Sequence, residues 1–167
     1  MKQLLNQEQL SRKLKRMTHE IIERNTNLSE IILVGILRKG YPVALILKEN
    51  LKKFADIDVD LYPLDITLHR DDKVKKAPVH SNELNVNEKN VILVDDVLYT
   101  GRSIRAAMDA LNDYGRAKSI QLAVVIDRGH RELPIRADYI GKNIPTSRNE
   151  KVLVDPNLEV LLIDESN

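Results

Sequence analysis

An α/β domain built on a central, mainly parallel β-sheet flanked by helices is the fold this sequence predicts. Two apolar runs carry the first half of that reading: IILVGI at 31–36 and VILV at 91–94 are short and uninterrupted, the pattern of strands covered on both faces. Segments with helical periodicity stand between such runs, and strand, helix, strand alternation implies parallel pairing through crossover connections. The chain has 167 residues, 43% apolar and 31% charged, which is one ordinary domain's worth of globular composition. It contains no internal repeat or linker, so residues 1–167 are read as a single domain.

Taken in order, residues 8–26 set Leu10, Leu14, Met17 and Ile21 at three- and four-residue steps with Arg12, Lys13, Lys15, Arg16 and His19 between them, an amphipathic helix with a basic outer face. The strand Ile31–Ile36 follows. Gly35 and Gly40 bracket the loop GILRKG, and Pro42 suits the first turn of a second helix reaching about Lys53. Residues 58–68 alternate loosely and read as a strand. The polar stretch from His69 to Asn90, with Pro78 and no period, reads as a long mobile loop, a length that is usually functional in a compact domain. Next come the strand Val91–Val94, a turn, a helix from about Ser103 to Tyr114 closed by Gly115, and a strand over 120–126. Beyond Asp127 the chain is loop-rich and basic, with VLV at 152–154 and VLLI at 160–163 as edge strands.

Composition removes several function classes. The absence of cysteine excludes disulfides, thiolate metal sites and cysteine nucleophiles. A formal net charge of +1 means that any nucleic-acid surface must come from local clustering. No segment approaches the roughly 18 apolar residues of a membrane span, so a cytoplasmic protein is expected. With no Trp and one Phe, base-stacking platforms are scarce. A Walker-type phosphate loop and a G-x-G-x-x-G dinucleotide motif are both missing.

The chemistry concentrates in VILVDDVLYTGRS at 91–103. In an open parallel sheet, ligands bind beyond the carboxyl ends of the strands, where this run delivers Asp95 and Asp96. The turn that follows leads into a helix, so backbone N–H groups of Thr100 to Ser103 face the same crevice, a natural anion cradle to which Arg102 adds a fork of donors. Ionised carboxylates accept hydrogen bonds from a diol. The ligand suggested is a sugar phosphate, its hydroxyls on the aspartates and its phosphate in the TGRS turn. The plainer alternative is that the aspartates merely end a strand and Thr100 caps a helix.

VILVDDVLYTGRS resembles the phosphoribosyl-pyrophosphate (PRPP) signature of type I phosphoribosyltransferases. Together with IDRGHRELPIRADYIGKNIPTSRNEKV at 126–152, and with HEIIERN, ILVGI and LDITLHRDD, it resembles the PyrR family, pyrimidine operon attenuation regulators that are also uracil phosphoribosyltransferases. The resemblance implies a single-domain type I phosphoribosyltransferase fold with a flexible hood loop over His69–Asn90. It implies transfer of the ribosyl phosphate of PRPP to uracil, giving UMP and pyrophosphate, with Mg²⁺ accompanying PRPP. Asp95, Asp96 and Arg70 are the catalytic candidates it implies. Its nucleotide-binding set is Arg38, Lys39, Gly40, Val97, Leu98, Tyr99, Thr100, Gly101, Arg102 and Ser103, with the loop Leu37 to Gly40 corresponding to the pyrophosphate loop. No protein-held metal site is expected. Where purine enzymes usually carry an aspartate in the motif, this chain has Tyr99, whose ordinary pKa near 10 disqualifies it as a base at neutral pH; a pyrimidine substrate is expected, with packing of Tyr99 against the next helix as the other reading.

The resemblance also implies binding of a leader mRNA stem-loop of a pyrimidine operon in response to UMP or UTP, and a homodimer or larger assembly. The implied RNA-binding residues are Lys15, Arg16, His19 and Arg24 on the first helix and His130, Arg131, Arg136 and Lys142 in the C-terminal block. Arginine and lysine contacts to phosphates, with loop residues reading unpaired bases, suit structured RNA. Two alternatives stand beside this: a uracil phosphoribosyltransferase without an RNA role, and a solvated basic surface balanced by Glu20, Glu23 and Glu132.

Overall fold

The computed structural model describes residues 1–70, 84–155 and 158–165. Its elements are β1 (Lys2–Leu5), α1 (Gln7–Arg24), β2 (Ile31–Ile36), α2 (Gly40–Ala55), β3 (Leu61–Leu64), β4 (Asn90–Leu98), α3 (Arg102–Leu111), β5 (Ser119–Asp127), β6 (Tyr139–Asn143), β7 (Glu150–Val154) and β8 (Val160–Asp164). Five strands form one sheet in the order β3-β2-β4-β5-β6, every neighbouring pair parallel. The expected architecture is therefore present. A second, antiparallel sheet in the order β1-β8-β7 was only half anticipated: VLV and VLLI are strands, but they pair with each other and with β1. Neither β1 nor β6 stood out in the sequence, because each is short and lies among polar residues.

The uninterrupted apolar runs are explained by cover on both sides of the sheet. Ile92 and Val94 pack with Leu10, Leu14 and Met17 of α1 and Val43, Leu47 and Leu51 of α2. Val91 and Leu93 pack with Ile104, Ala107 and Leu111 of α3. The first helix begins one residue earlier than its period suggested and ends at Arg24, with Asn6 as N-cap and a reciprocal capping box to Gln9. The second starts at Gly40, two residues ahead of Pro42, and the third gives way at residue 112 to a 3₁₀ turn over Asn112–Tyr114. The strand expected over 58–68 is confined to Leu61–Leu64, after which Thr67–His69 makes another 3₁₀ turn.

A buried polar cluster ties α1 to the sheet. Asn25 donates to the Ile21 carbonyl at 2.8 Å and to the Tyr139 hydroxyl at 3.2 Å, while Gln121 donates to Asn25 Oδ1 at 2.9 Å. Tyr139 in turn donates to Gln121 Oε1 at 2.5 Å. Just outside it, Arg24 pairs with Asp138 at 2.7 Å. Removing one member of a satisfied buried network strands the others, so Asn25→Ala is expected to lower stability by about 1–3 kcal/mol, read from the midpoint of urea unfolding. Among the described residues no helix is long and apolar enough to cross a membrane.

Candidate active site

The site is built at the carboxyl ends of β4 and β5. β4 runs to Leu98, four residues past the expected end at Val94, so Asp95 and Asp96 lie inside the strand rather than after it. Aspartate is a poor strand former, and here each carboxylate bonds its own backbone: Asp95 Oδ1 accepts from the Asp96 N–H, and Asp96 Oδ1 from the Val97 N–H, both at 2.8 Å. The alternation of faces shifts at this point, for Val97 packs on the side of Val94 and Leu98 on the side of Leu93.

The chain then turns into α3 through Gly101, whose φ of 95° favours glycine. Thr100 Oγ1 accepts from the Arg102 N–H at 3.2 Å, and the Thr100 carbonyl accepts from the N–H groups of Glu132 and Leu133. A cavity of about 290 Å³ opens there, lined by Arg70, Asp95, Val97 to Ser103 and Ile104. That volume sits at the small end of ligand pockets. Its wall is made of an acidic strand end and a helix N-terminus, the combination a sugar phosphate requires.

Asp95 is only 8% exposed. Burial above all, and the neighbouring Asp96 charge, push its carboxyl well above the ordinary carboxylate range. Arg102 lines the same cavity, its Nε 2.9 Å from Glu132 Oε1 in a half-exposed pair. Such a pair adds little stability, whereas a charge-assisted bond to phosphate adds about 1.5–3 kcal/mol to binding. Arg102→Ala is therefore expected to weaken binding of ribose 5-phosphate about tenfold or more by calorimetry with an almost unchanged melting temperature.

The loop Leu37 to Gly40 stands beside the cavity. Its Leu37–Arg38 peptide is cis, and Arg38 and Lys39 are exposed. Gly40 presses on β4 so closely that a Cβ there would lie 2.2 Å from the Val94 carbonyl oxygen and 2.9 Å from Asp95 Cα. Of the remaining nominated residues, Arg70 is in the cavity wall, while most of the hood expected over His69–Asn90, with the two aspartates that end LDITLHRDD, lies outside the described residues. At its near end His69 Nε2 is 2.9 Å from Asp113 Oδ2.

Tyr99 packs against residues that follow β5. The Arg128 guanidinium lies over its ring at 4.0 Å, and His130 meets it edge-on with centroids 5.7 Å apart. Arg131 donates to the Tyr99 carbonyl at 2.7 Å, to the Ile135 carbonyl at 2.8 Å and to Asp127 at 2.6 Å. His130 Nε2 lies 2.6 Å from the Thr146 carbonyl oxygen. His130 and Arg131 thus face the cavity turn. Of the other nominated basic residues, Arg16 and Lys142 share a different surface, because α1 packs along β6: Arg16 donates to the Ile140 and Gly141 carbonyls at 3.0 and 2.6 Å. A groove lined by Leu5, Gln9, Arg12, Lys13, Arg16 and Lys142 follows from that packing. Lys15, His19, Arg24 and Arg136 are exposed, with Arg24 engaged by Asp138 and His19 against Phe54 at 4.8 Å. Sequence reasoning nominated none of Ile104, Asp127 and Arg128, although the last two stand near the start of IDRGHRELPIRADYIG and at the carboxyl end of the strand beside β4.

A phosphoribosyl transferase domain family matches residues 1–159. The chain is 52% identical over 157 residues to the bifunctional protein PyrR of Clostridioides difficile, covering 91% of this chain and 89% of that one. It is 50% identical over 174 residues to the bifunctional protein PyrR of Haemophilus ducreyi, covering 98% and 97%. Among solved structures it is similar to a hypoxanthine phosphoribosyltransferase of Staphylococcus aureus, with a TM-score of 0.75 at 21% identity over 94% of this chain and 83% of that one. It is also similar to the hypoxanthine phosphoribosyltransferase of Trypanosoma cruzi, with a TM-score of 0.77 at 16% identity over 98% and 97%. At such identities the likeness to these two is one of fold.

Proposed function

The chain belongs to the phosphoribosyltransferase family and, within it, to the bifunctional PyrR proteins, and from that premise we propose that it couples two activities. It is a uracil phosphoribosyltransferase that makes UMP and pyrophosphate from uracil and PRPP. It is also an RNA-binding regulator that responds to UMP or UTP and binds the leader mRNA stem-loop of a pyrimidine operon, promoting attenuation. The whole chain acts as one phosphoribosyltransferase domain, in the cytoplasm, as a homodimer or larger homo-oligomer.

The observation that carries the enzymatic half is the cavity that joins Asp95 to the TGRS turn. Ribose hydroxyls donate to the carboxylates of Asp95 and Asp96, and the 5′-phosphate accepts from the first N–H groups of α3 and from Arg102. Pyrophosphate leaves C1′ with the electrons of the C1′–O bond, while uracil N1 supplies the pair for the new bond and gives up its proton to the departing pyrophosphate or to water. Holding both reactants in line is the larger part of the rate gain, and the exposed Arg38–Lys39 loop and Arg70 receive the leaving group's charge. Among the described residues no group of three or more metal-binding side chains exists. A Mg²⁺ ion brought in on PRPP would be held by substrate oxygens and one or two carboxylates, here Asp95 and Asp96. When bound, it neutralises charge on the pyrophosphate.

For RNA, the supporting observation is that Arg12, Arg16 and Lys142 converge on one groove although they come from α1 and β6. Assay of UMP formation from uracil, PRPP and Mg²⁺ tests the enzyme. A gel shift with the leader stem-loop, with and without UMP, tests the regulator: binding that is salt-sensitive but blind to sequence would reduce the chain to an enzyme alone.

A further inference from the structure

Arg128 is the only basic residue among the buried ones described, 6% exposed at the carboxyl end of β5. Among the described residues its side-chain partners are all neutral. Nε donates to Thr146 Oγ1 at 3.0 Å, Nη2 to the Ser147 carbonyl at 2.9 Å, and the guanidinium lies on the Tyr99 ring at 4.0 Å. The carboxylate next to it in sequence, Asp127, is taken by Arg131 and by the Gly129 N–H. A buried cation with no counter-charge is unfavourable to the free fold, and an apolar residue of similar size is commonly tolerated as well or better in its place. What the charge does have beside it is the aromatic residue that walls a cavity shaped for anions, for Tyr99 lines that cavity next to Thr100 to Ser103. The ring is fixed from a second side by His130, which is anchored to the same Thr146 turn.

We infer that Arg128 is a positioning residue for the sugar-phosphate substrate, holding the Tyr99 wall in place and lending the cavity a positive charge whose counter-ion is the incoming phosphate. This rests on the reading of the cavity as the PRPP site. The charge acts one residue back from the substrate, so it favours the anion's presence rather than any particular bond change. Its signature is a shift in KM for PRPP with little change in kcat. A purely structural arginine has a different signature, a less stable free protein.

The test compares Arg128→Met and Arg128→Lys with the wild-type chain in steady-state UMP formation and in thermal unfolding without ligand. Arg128→Met is expected to raise KM for PRPP about tenfold, to leave kcat within about threefold, and to leave the melting temperature unchanged or higher. Arg128→Lys should recover most of the KM. A lowered melting temperature with a fallen kcat and an unchanged KM for PRPP would overturn the inference. If Arg128→Met is insoluble, Tyr99→Leu, Arg128→Lys and the double variant form a cycle. Effects on KM that multiply would show independent action and sink the idea, whereas a double variant no worse than the worse single one supports it. Should the wild-type chain form no UMP, the transferase reading fails separately. Ribose 5-phosphate binding by calorimetry then decides for Arg128, about tenfold weaker in Arg128→Met if the inference holds and equal if it does not.

Discussion

Asp95→Asn is expected to cut UMP formation about a hundredfold and, at neutral pH, to make the free protein more resistant to heat. The first effect follows from the hydrogen bonds that an ionised carboxylate accepts from ribose hydroxyls, each contributing about 1.5–3 kcal/mol where a neutral amide offers much less. The second follows from burial. Asp95 is 8% exposed, and desolvation with the adjacent Asp96 charge raises its carboxyl well above the usual range. The folded state thus holds this proton more tightly than the unfolded one. The stability it contributes is fully present below the ordinary carboxylate range and is lost as pH rises through the raised value. Above the ordinary carboxylate range this carboxyl opposes folding, because the unfolded chain ionises it more readily than the buried site does, and asparagine, of the same shape and still able to accept from the Asp96 N–H, removes that opposition. Melting temperature against pH checks it: the variant should show a shallower fall between acid and neutral pH. An activity unchanged by both Asp95→Asn and Asp96→Asn would mean that the aspartates do not hold the ribose.

Gly40→Ala is expected to damage the fold and the site together. The added Cβ would meet the Val94 carbonyl oxygen at 2.2 Å and Asp95 Cα at 2.9 Å, and both obstacles are backbone of a central strand that cannot rotate away. Overpacking of this kind costs about 1–3 kcal/mol, a drop of about 2–12 °C for a chain of this size. Relief must come from α2 or β4 moving apart, which carries the Arg38–Lys39 loop away from Asp95. UMP formation should therefore fall about tenfold or more even at temperatures where the variant remains folded, since small misplacements of bound reactants are expensive in rate. Scanning calorimetry and a low-temperature assay on one preparation separate the two losses.

The parallel sheet was legible because its strands are covered on both faces, so IILVGI and VILV are nearly pure apolar runs. The phosphate turn was legible because glycine, hydroxyls and an arginine at a strand-to-helix turn have few other uses. The extent of β4 was not, since two aspartates look like an ending and only the ladder to β5 reveals that pairing continues through Leu98. Arg128 was hidden for a related reason: composition marks an arginine as surface, and nothing local tells that its charge lies against Tyr99. The convergence of Arg12, Arg16 and Lys142 depends on α1 packing along β6, a contact between segments far apart in sequence.

The small antiparallel sheet bears on how the molecule assembles. Lys2 pairs with Leu162, and Leu5 with Val160, so β1 gains its hydrogen bonds only after nearly the whole chain has been gathered. Contacts of such long sequence separation are the slowest to close. The five parallel strands and their helices can organise first, and β1 docks as a late event. By the same reasoning its amides should exchange with solvent sooner than those of β4, and each opening loosens the entry to α1, whose N-cap Asn6 directly follows this strand. The basic groove that starts at Leu5 thus borders an edge strand, whereas the cavity at Asp95 is set in the middle strand of the parallel sheet.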